Sequence, residues 1–299
     1  MTLASPLTSG RIAVTGSSGK LGGYTVADLA AAGYDVVALD VAPAPAAVRD
    51  VAVAALTVDL TDLGQVVDAL EGCDGVVHLA NIPAPGLRPE GVTFTTNVAM
   101  NQAVLSAART HALRRVVWAS SETTLGLPLD TPPWYAPIDE AHFPRPESTY
   151  ALSKVVTEQM AATYARWTGV SHVGLRFSNV MTTQDYRDLF PPSWDEPLAR
   201  KWNLWSYIDA RDAAAACRAG LVASEEALGG AGSAPNVIIA AADTCMRRDS
   251  ADLLAEVFPG VELRREVSGT GTLFDISAAE RILDWRPEHS WRDTLEPRA

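Results

Sequence analysis

The stretch VTGSSGKLGG, residues Val14–Gly23, stands between the apolar run RIAV and an alanine-rich segment of helical length. Its glycines are spaced G-x-x-G-x-x-G, at Gly16, Gly19 and Gly22. Glycines between a strand and a helix let a pyrophosphate approach the backbone N–H groups at the helix N-terminus. Leu21, rather than Ser or Thr, follows Lys20, so the stretch is not a P-loop. It predicts a dinucleotide-binding turn at the start of an α/β domain.

The next strand ends in an acidic residue. The run DVVAL leads to Asp40, about 20 residues beyond the glycine turn. A carboxylate at this position accepts hydrogen bonds from the adenosine ribose hydroxyls and repels a 2′-phosphate. We therefore expect NAD in preference to NADP. Lys20 and Arg49 are close enough in sequence to weaken that preference.

Short apolar runs alternate with alanine-rich stretches along the chain. The runs RIAVT, DVVAL, GVVHLA, RRVVWAS and HVGLRF have the composition of buried strands. Helices are predicted around residues 20–32, 90–110 and 149–168. This order predicts an α/β fold, in which a Rossmann doubly wound parallel sheet carries helices on both faces and a small C-terminal substrate-binding part is attached.

Two long segments interrupt this alternation. Residues 121–148 are rich in Pro and acidic residues, and residues 181–207 are rich in aromatics. Both are long enough to be functional loops. We assign the NAD-binding domain to residues 11–177, continued by 206–240, and the smaller substrate-binding part to residues 178–205 and 241–299.

Composition excludes several classes of protein. The 299 residues, 47% hydrophobic and 20% charged, suit one large α/β domain or a domain with a smaller appendage. A formal net charge of −12 disfavours a nucleic-acid groove. No apolar run reaches the length of about 18 residues that a membrane span needs, and the first residues lack a signal peptide pattern, so we expect a cytoplasmic protein. The three cysteines lack C-x-x-C spacing, so we expect neither disulfides nor a metal site.

The motif YALSK carries the candidate chemistry. On a helix, Tyr150 and Lys154 lie on one face about a turn apart. An ammonium beside a phenol favours the phenolate and lowers a pKa of about 10 towards neutrality, as a general base requires. Upstream, the strand RRVVWA ends in Ser120 and Ser121 at the carboxyl edge of the sheet, where open α/β sheets bind ligands. A serine at this edge is therefore a second candidate catalytic group.

These features together resemble the extended short-chain dehydrogenase/reductases, the NAD-dependent epimerase/dehydratase family. The resemblance extends from Arg11 to about Trp291 and includes the glycine turn, VDL, HLA, SSETTLG, YALSK, LRFSNV, SYIDARDAA and ILDWRP. It implies that Ser121 holds the reacting hydroxyl or carbonyl, that Tyr150 transfers the proton, and that Lys154 binds the nicotinamide ribose and tunes Tyr150. The full set of expected cofactor-binding residues is Gly16, Ser18, Gly19, Lys20, Leu21, Asp40, Asp59, Leu60, Leu79, Ala80, Asn81, Asn97, Tyr150, Lys154 and Phe177.

Departures from the family's patterns bear on the substrate. Sugar 4,6-dehydratases have an Asp-Glu pair after the catalytic residue, whereas Glu122 and Thr123 follow Ser121 here, which argues against water elimination. The stretch QDYR…LWSYIDARD resembles uronate dehydrogenases, in which an Arg holds the substrate carboxylate, and implies that role for Arg187. Those enzymes have Asn-His in place of Glu122 and Thr123, which argues against uronate itself. The expected substrate-binding residues are Ser121, Glu122, Thr123, Asn179 and Arg187.

The resulting hypothesis is an NAD-dependent oxidoreductase that takes hydride from a secondary alcohol carbon of a sugar or sugar-acid-like small molecule. The alternatives are a nucleotide-sugar epimerase with retained NAD and a non-catalytic NAD-binding sensor. The intact Tyr-Lys pair argues against a sensor, and the short region after the strand NVIIA argues against an epimerase. The resemblance also implies a homodimer formed through a helix bundle.

The aromatic loop permits two interpretations. Its side chains either stack on a sugar ring or anchor long loops to the body of the protein. The residues concerned are Tyr186, Phe190, Trp194, Trp202, Trp205 and Tyr207, together with Trp134 and Tyr135.

Overall fold

The computed structural model describes residues 6–142 and 144–296. In chain order, the strands are β1 (Arg11–Thr15), β2 (Asp35–Asp40), β3 (Ala54–Thr57), β4 (Gly75–His78), β5 (Arg115–Ser121), β6 (Tyr135–Ala136), β7 (His172–Phe177), β8 (Val180–Met181), β9 (Ile208–Asp209), β10 (Asn236–Ile239) and β11 (Glu262–Leu263). The last three residues of the smaller part assigned above, 297–299, lie outside the described residues.

Helices connect most of these strands. The α-helices are α1 (Lys20–Ala31), α2 (Ala46–Arg49), α3 (Leu63–Ala69), α4 (Glu90–Thr110), α5 (Thr149–Thr168), α6 (Thr183–Leu189), α7 (Ala210–Val222), α8 (Ser250–Val257), α9 (Ser277–Leu283) and α10 (Trp291–Leu295). Short 3₁₀ helices cover Glu122–Leu125, Pro191–Ser193 and Pro197–Asn203. The helices predicted around residues 20–32, 90–110 and 149–168 are confirmed as α1, α4 and α5.

Within the described residues, seven strands form one parallel sheet in the order β10-β7-β5-β4-β1-β2-β3. In the register of the sheet, Val14 on β1 lies opposite Ala38 on one side and Val77 on the other. The strand order reverses between β1 and β4, and ligands bind at such a switch point beyond the carboxyl ends of the strands. The predicted Rossmann α/β fold is confirmed.

Two apolar cores lie on opposite faces of the sheet. On one face, Val14 and Val77 pack with Val26 of α1 and Cys217 of α7. On the other face, Ala13 and Val76 pack with Val104 and neighbouring residues of α3 and α4, and α5 packs beside α4. β4 and β7 are buried at every position, as strands covered by helices on both faces are, and the polar residues they contain, His78, His172 and Arg176, are buried as well.

A third core underlies the smaller part of the molecule. It joins the segments 178–205 and 241–299 through side chains such as Phe190 and Phe274. It also includes Leu125, Leu127 and Ile138, which belong to the loop that the sequence placed in the NAD-binding domain. The loop therefore connects the two parts, and the proposed division between them stays a prediction.

Candidate active site

A cavity of about 1100 Å³ lies beyond the carboxyl ends of the strands. It contains the glycine turn and the catalytic candidates in one continuous space. The predicted site residues that line it are Gly16, Ser18, Gly19, Lys20, Leu21, Asp40, Asp59, Leu60, Leu79, Ala80, Asn81, Ser121, Glu122, Thr123, Tyr150, Lys154, Phe177 and Asn179. We call the part around residues 16–21, Asp40, Asp59 and Leu60 the nucleotide end. The part around residues 121–123, Asn179 and Trp202 is the substrate end.

The glycine turn is packed too closely for side chains. Gly16 has a φ of +70°, and a Cβ there would lie 2.7 Å from the backbone nitrogen of Ala80. A Cβ on Gly22 would lie 2.0 Å from the carbonyl oxygen of Gly16. Helix α1 begins at Lys20, and its N-cap, Gly19, makes no side-chain cap hydrogen bond. The backbone N–H groups at this helix N-terminus therefore suit an anion such as a pyrophosphate.

Asp40 closes the nucleotide end at the tip of β2. Its Oδ2 accepts a hydrogen bond from the backbone nitrogen of Ser18 at 2.9 Å, which joins the carboxylate to the glycine turn. Lys20 Nζ lies 2.7 Å from Asp185 Oδ2, and the exposed Arg49 donates to the carbonyl oxygen of Ala44. Both cations that would favour a 2′-phosphate are thus engaged elsewhere. The Asp40 carboxylate, with Lys20 and Arg49 bound to other groups, fits an adenosine ribose without a 2′-phosphate.

The catalytic candidates come from two neighbouring elements. Ser121 is the last residue of β5, and Tyr150 and Lys154 lie one turn apart near the start of α5, which Ser148 caps. Lys154 Nζ donates to the carbonyl oxygen of Ala119 at 2.7 Å and lies 5.6 Å from the centre of the Tyr150 ring. The three side chains predicted to be catalytic therefore line one cavity.

Burial dominates the titration of this pair. It raises the pKa of Tyr150 to about 12; the nearby Glu122 adds to this, and a hydrogen bond with Ser121 opposes it. Burial also lowers the pKa of Lys154 to about 7, against the effect of Glu158. In this structure the Lys154 ammonium donates to a backbone carbonyl, and burial is the largest cause acting on the pKa of Tyr150. The lowering of the Tyr150 pKa expected from the sequence is not found, because burial raises that pKa instead.

The two serines at the end of β5 have different roles. Ser120 Oγ donates to Glu158 Oε1 at 2.7 Å, and Arg176 forms two hydrogen bonds of 2.9 Å with the same carboxylate. This buried network joins β5, α5 and β7 at the wall of the cavity, which Ser120 also lines. Ser121 Oγ instead accepts hydrogen bonds from the backbone nitrogen and hydroxyl of Thr123, at 3.2 and 2.9 Å. Ser121 is therefore the serine that can act on a ligand.

Glu122 supplies a buried carboxyl group to the substrate end. Its Oε1 accepts a hydrogen bond from Asn203 Nδ2 at 3.1 Å. Burial raises the pKa of Glu122 to about 7, although Ser178, Asn203 and Arg200 act in the opposite direction. The substrate end thus holds an acidic group that titrates near neutrality.

Two predicted residues do not line the described cavity. Asn97 lies beneath it, where Oδ1 accepts from the backbone nitrogen of Ile82 and Nδ2 donates to the carbonyl oxygen of the same residue. Arg187 is exposed on α6. Tyr186 points inward and donates to Asp209 Oδ2, and successive helical residues differ by about 100°, so Arg187 faces outward. Arg187 does not line the described cavity, and its expected contact with a substrate carboxylate stays a prediction.

Most of the aromatic loop anchors the fold. Tyr186, Phe190, Trp205 and Tyr207 are fully buried in the third core. Trp202 is the exception among the loop aromatics in the described structure, since it lines the cavity. Sequence reasoning named Trp202 without separating it from its neighbours, and it missed Asn203. The 3₁₀ geometry of Pro197–Asn203, which places both residues, has no clear sequence signal.

The described residues include no cluster of three or more His, Cys, Asp or Glu placed to hold a metal ion. Among those same residues, no helix is both long enough and apolar enough to cross a membrane.

Comparison with known proteins identifies relatives of the chain. The model of the NAD dependent epimerase/dehydratase family matches residues 12–193, which confirms the resemblance stated from the sequence. Uronate dehydrogenase of Pseudomonas putida is 33% identical over 175 residues, which cover 56% of this chain and 60% of that enzyme. L-arabinose 1-dehydrogenase (NAD(P)(+)) of Haloferax volcanii is 31% identical over 186 residues, covering 60% of this chain and 70% of that enzyme.

Solved structures confirm the fold over nearly the whole chain. A UDP-galactose 4-epimerase superposes with a TM-score of 0.67 at 26% identity, covering 96% of both chains. A short-chain dehydrogenase/reductase superfamily protein from Agrobacterium tumefaciens with bound NAD has a TM-score of 0.71 at 22% identity, covering 96% of this chain and 95% of that one. The relatives thus include sugar dehydrogenases and an epimerase, in agreement with the predicted class of enzyme.

Proposed function

Because the chain belongs to the NAD dependent epimerase/dehydratase family, we propose that it transfers a hydride from a secondary alcohol carbon of a sugar-like molecule to NAD. The observation that carries this proposal is the meeting of Ser121, Tyr150 and Lys154 in the cavity that also holds the glycine turn. A side-chain trio with an acceptor, a donor and a cation suits the oxidation of an alcohol.

The residues of the nucleotide end fit the cofactor. The N-terminus of α1 would hold the pyrophosphate, and Asp40 would accept hydrogen bonds from the adenosine ribose. Asp59 and Leu60 would flank the adenine, and Phe177 would lie near the nicotinamide. NAD, when bound, supplies the hydride acceptor.

The chain's own groups manage the proton. Ser121 Oγ accepts from Thr123 twice, so its own hydrogen is directed away from Thr123 and can be donated to the substrate oxygen. Tyr150 accepts the hydroxyl proton as the alcohol is oxidised. Lys154 lies beside the phenol ring, and in this step its ammonium would oppose the burial that raises the pKa of Tyr150.

An epimerase is the second candidate, favoured by the match to UDP-galactose 4-epimerase over 96% of both chains. Chain length therefore does not separate the two activities. We favour net oxidation because the curated relatives include two sugar dehydrogenases that are more than 30% identical to this chain over the matched regions.

A panel of free sugars and sugar acids with NAD tests the proposal. We expect stoichiometric NADH, followed by its absorbance, and NAD that exchanges with solvent. Purified protein with stoichiometric NAD, inert towards free sugars but able to interconvert two nucleotide-sugar epimers without accumulating NADH, would establish the epimerase instead.

We also propose a cytoplasmic homodimer. Cys73, Cys217 and Cys245 are free and buried, which suits a reducing compartment. Helices α4 and α5 pack side by side and leave Val92, Leu152 and Trp167 exposed, which suits pairing with a second copy. Light scattering during size-exclusion chromatography tests the dimer, and a monomer at micromolar concentration would contradict it.

A further inference from the structure

We propose that Glu122 is a specificity-determining residue that accepts a hydrogen bond from a hydroxyl of a neutral aldose and rejects sugar acids. The inference rests on the proposed function, because it names the substrate class of the same site. It concerns which ligand the substrate end admits, so it can be tested by binding as well as by turnover.

The first support is the position of the carboxyl group. Glu122 follows Ser121 directly and lines the same cavity, so a ligand held by Ser121 lies close to it. Asn203 Nδ2 donates to both Glu122 Oε1 and the carbonyl oxygen of Ser206, which fixes the orientation of the carboxyl group. Glu122 Oε2 is buried without a partner at normal hydrogen-bond geometry among the described residues, although Ser178 and the backbone of Asn179 lie near enough to favour the ionised carboxylate. An orphaned buried acceptor is suited to a donor that arrives with the ligand.

The second support is the charge of the cavity. Its charged lining residues, within the described part of the chain, are Lys20, Asp40, Asp59, Glu122 and Lys154. Lys20 is paired with Asp185 at the nucleotide end, and Lys154 donates to the carbonyl oxygen of Ala119. The described lining contains no arginine. A substrate carboxylate at the substrate end would therefore face Glu122 with no guanidinium among the described lining residues, and like charges in such contact weaken binding.

Arg200 acts on Glu122 but is not among the described residues that line the cavity. Its guanidinium carbon lies 5.5 Å from the centre of the Phe190 ring and 5.7 Å from that of Trp202. It is buried and is not among the described lining residues. Trp202 itself lines the cavity and offers an aromatic surface, which suits the C–H face of a neutral sugar ring.

Glu122 is also sensitive to pH. The groups that act on it are Arg200 and Asn203 from Pro197–Asn203, Ser178 and Asn179 beyond β7, and Tyr150 from α5. Burial outweighs the groups that favour ionisation and raises the pKa of Glu122 to about 7. Above this pH the carboxylate accepts a hydroxyl hydrogen and repels a sugar acid; below it, the repulsion is lost.

Matched sugar pairs test the inference. The pairs are glucose with glucuronate and galactose with galacturonate. In each pair, the first sugar has a CH₂OH group where the second has a carboxylate. We compare wild type with Glu122→Gln, which keeps the shape and removes the charge. The control Glu196→Gln removes an exposed carboxylate from the same segment of chain as Asn203. Equal affinity for NADH and equal melting temperatures establish that each variant is folded.

In wild type at about pH 8, we expect kcat/KM to be at least about tenfold higher for the neutral sugar of a pair than for the sugar acid. At about pH 6 we expect this ratio to be smaller. Glu122→Gln is expected to reduce the preference about tenfold and to make it independent of pH. Glu196→Gln should behave as wild type. A preference for the sugar acid in wild type, or a preference unchanged in Glu122→Gln, overturns the inference.

Binding separates this inference from the proposed function. With NADH in place of NAD, the sugars bind without oxidation, and quenching of tryptophan fluorescence or saturation-transfer NMR reports their affinities. Preferential binding of the neutral sugars that depends on Glu122, without NADH production in the activity assay, supports the inference and overturns the oxidoreductase. Failure of every sugar to bind overturns the inference.

Discussion

The two ends of the cavity are built in different ways. The nucleotide end consists mainly of backbone from one continuous turn, Gly16 to Leu21, with Asp40 from the neighbouring strand. The substrate end is assembled from side chains of distant segments, as the 3.1 Å hydrogen bond between Asn203 and Glu122 illustrates. The first end is therefore readable as a local motif, whereas the second depends on how loops pack. Variants that disable one end and preserve the other test this difference.

The largest effect is expected at Tyr150. Tyr150→Phe keeps the ring and its packing but removes the proton acceptor, so turnover should fall at least about a hundredfold. NAD should still bind, because the nucleotide end is unchanged. Steady-state NADH production and equilibrium titration with NAD measure the two properties.

Lys154→Ala provides the comparison, since Lys154 lies beside the Tyr150 ring and is predicted to bind the nicotinamide ribose. We expect it to weaken turnover and NAD binding together. Near-normal activity of Tyr150→Phe would show that another group accepts the proton.

Gly22→Ala is expected to disable the nucleotide end. The new Cβ would lie 2.0 Å from the carbonyl oxygen of Gly16, so the turn must move. NAD affinity should fall at least about tenfold, or about 1.4 kcal/mol, in a direct titration. Gly23→Ala is the matched control, because its Cβ would be 3.9 Å from the nearest atom, on Val48. Equal NAD affinities in the two variants would contradict the close packing of the turn.

The contrast between the ends explains what the sequence could predict. The glycine turn, Asp40 and the Tyr150–Lys154 pair lie within elements whose periodicity is clear, and α5 spans Thr149–Thr168 as expected. Membership of the sheet then places the glycine turn and Asp40 at one edge, and the Tyr150–Lys154 pair of α5 lines the same cavity.

The substrate end required long-range packing that no local pattern encodes. Arg187 matches a family pattern, but the inward Tyr186–Asp209 hydrogen bond sets the rotation of α6 and leaves Arg187 outside. Likewise, Asn97 matches the family but holds the backbone of Ile82. The raised pKa of Glu122 depends on burial, which only the folded chain reveals.

Asp40 is expected to set the preference between the two cofactors at the nucleotide end, and its replacement should change that preference several-fold. Asp40→Ala removes the carboxylate that repels a 2′-phosphate, so the ratio of kcat/KM for NAD over NADP should decrease. Asp40→Asn removes the charge and retains an oxygen for the hydrogen bond from the backbone nitrogen of Ser18, but it loses the 2.9 Å hydrogen bond that Oδ1 accepts from the backbone nitrogen of Ala42. The ratio is measured with saturating substrate. Comparable efficiency of wild type with both cofactors would contradict the assignment of Asp40.

The smallest effect is expected at Arg187, where the family resemblance and the structure differ. Arg187→Gln removes a guanidinium that is exposed on α6 and absent from the described lining of the cavity. We expect kcat/KM for neutral sugars and for sugar acids to change less than about twofold, as for an exposed charge that makes no contact with a ligand. The measurement is the same steady-state assay with glucose and glucuronate. A selective loss of glucuronate oxidation would mean that α6 rotates when substrate binds, so that Arg187 reaches the carboxylate. The substrate end would then reach its final arrangement only when the ligand binds, whereas the glycine turn has its arrangement before NAD binds.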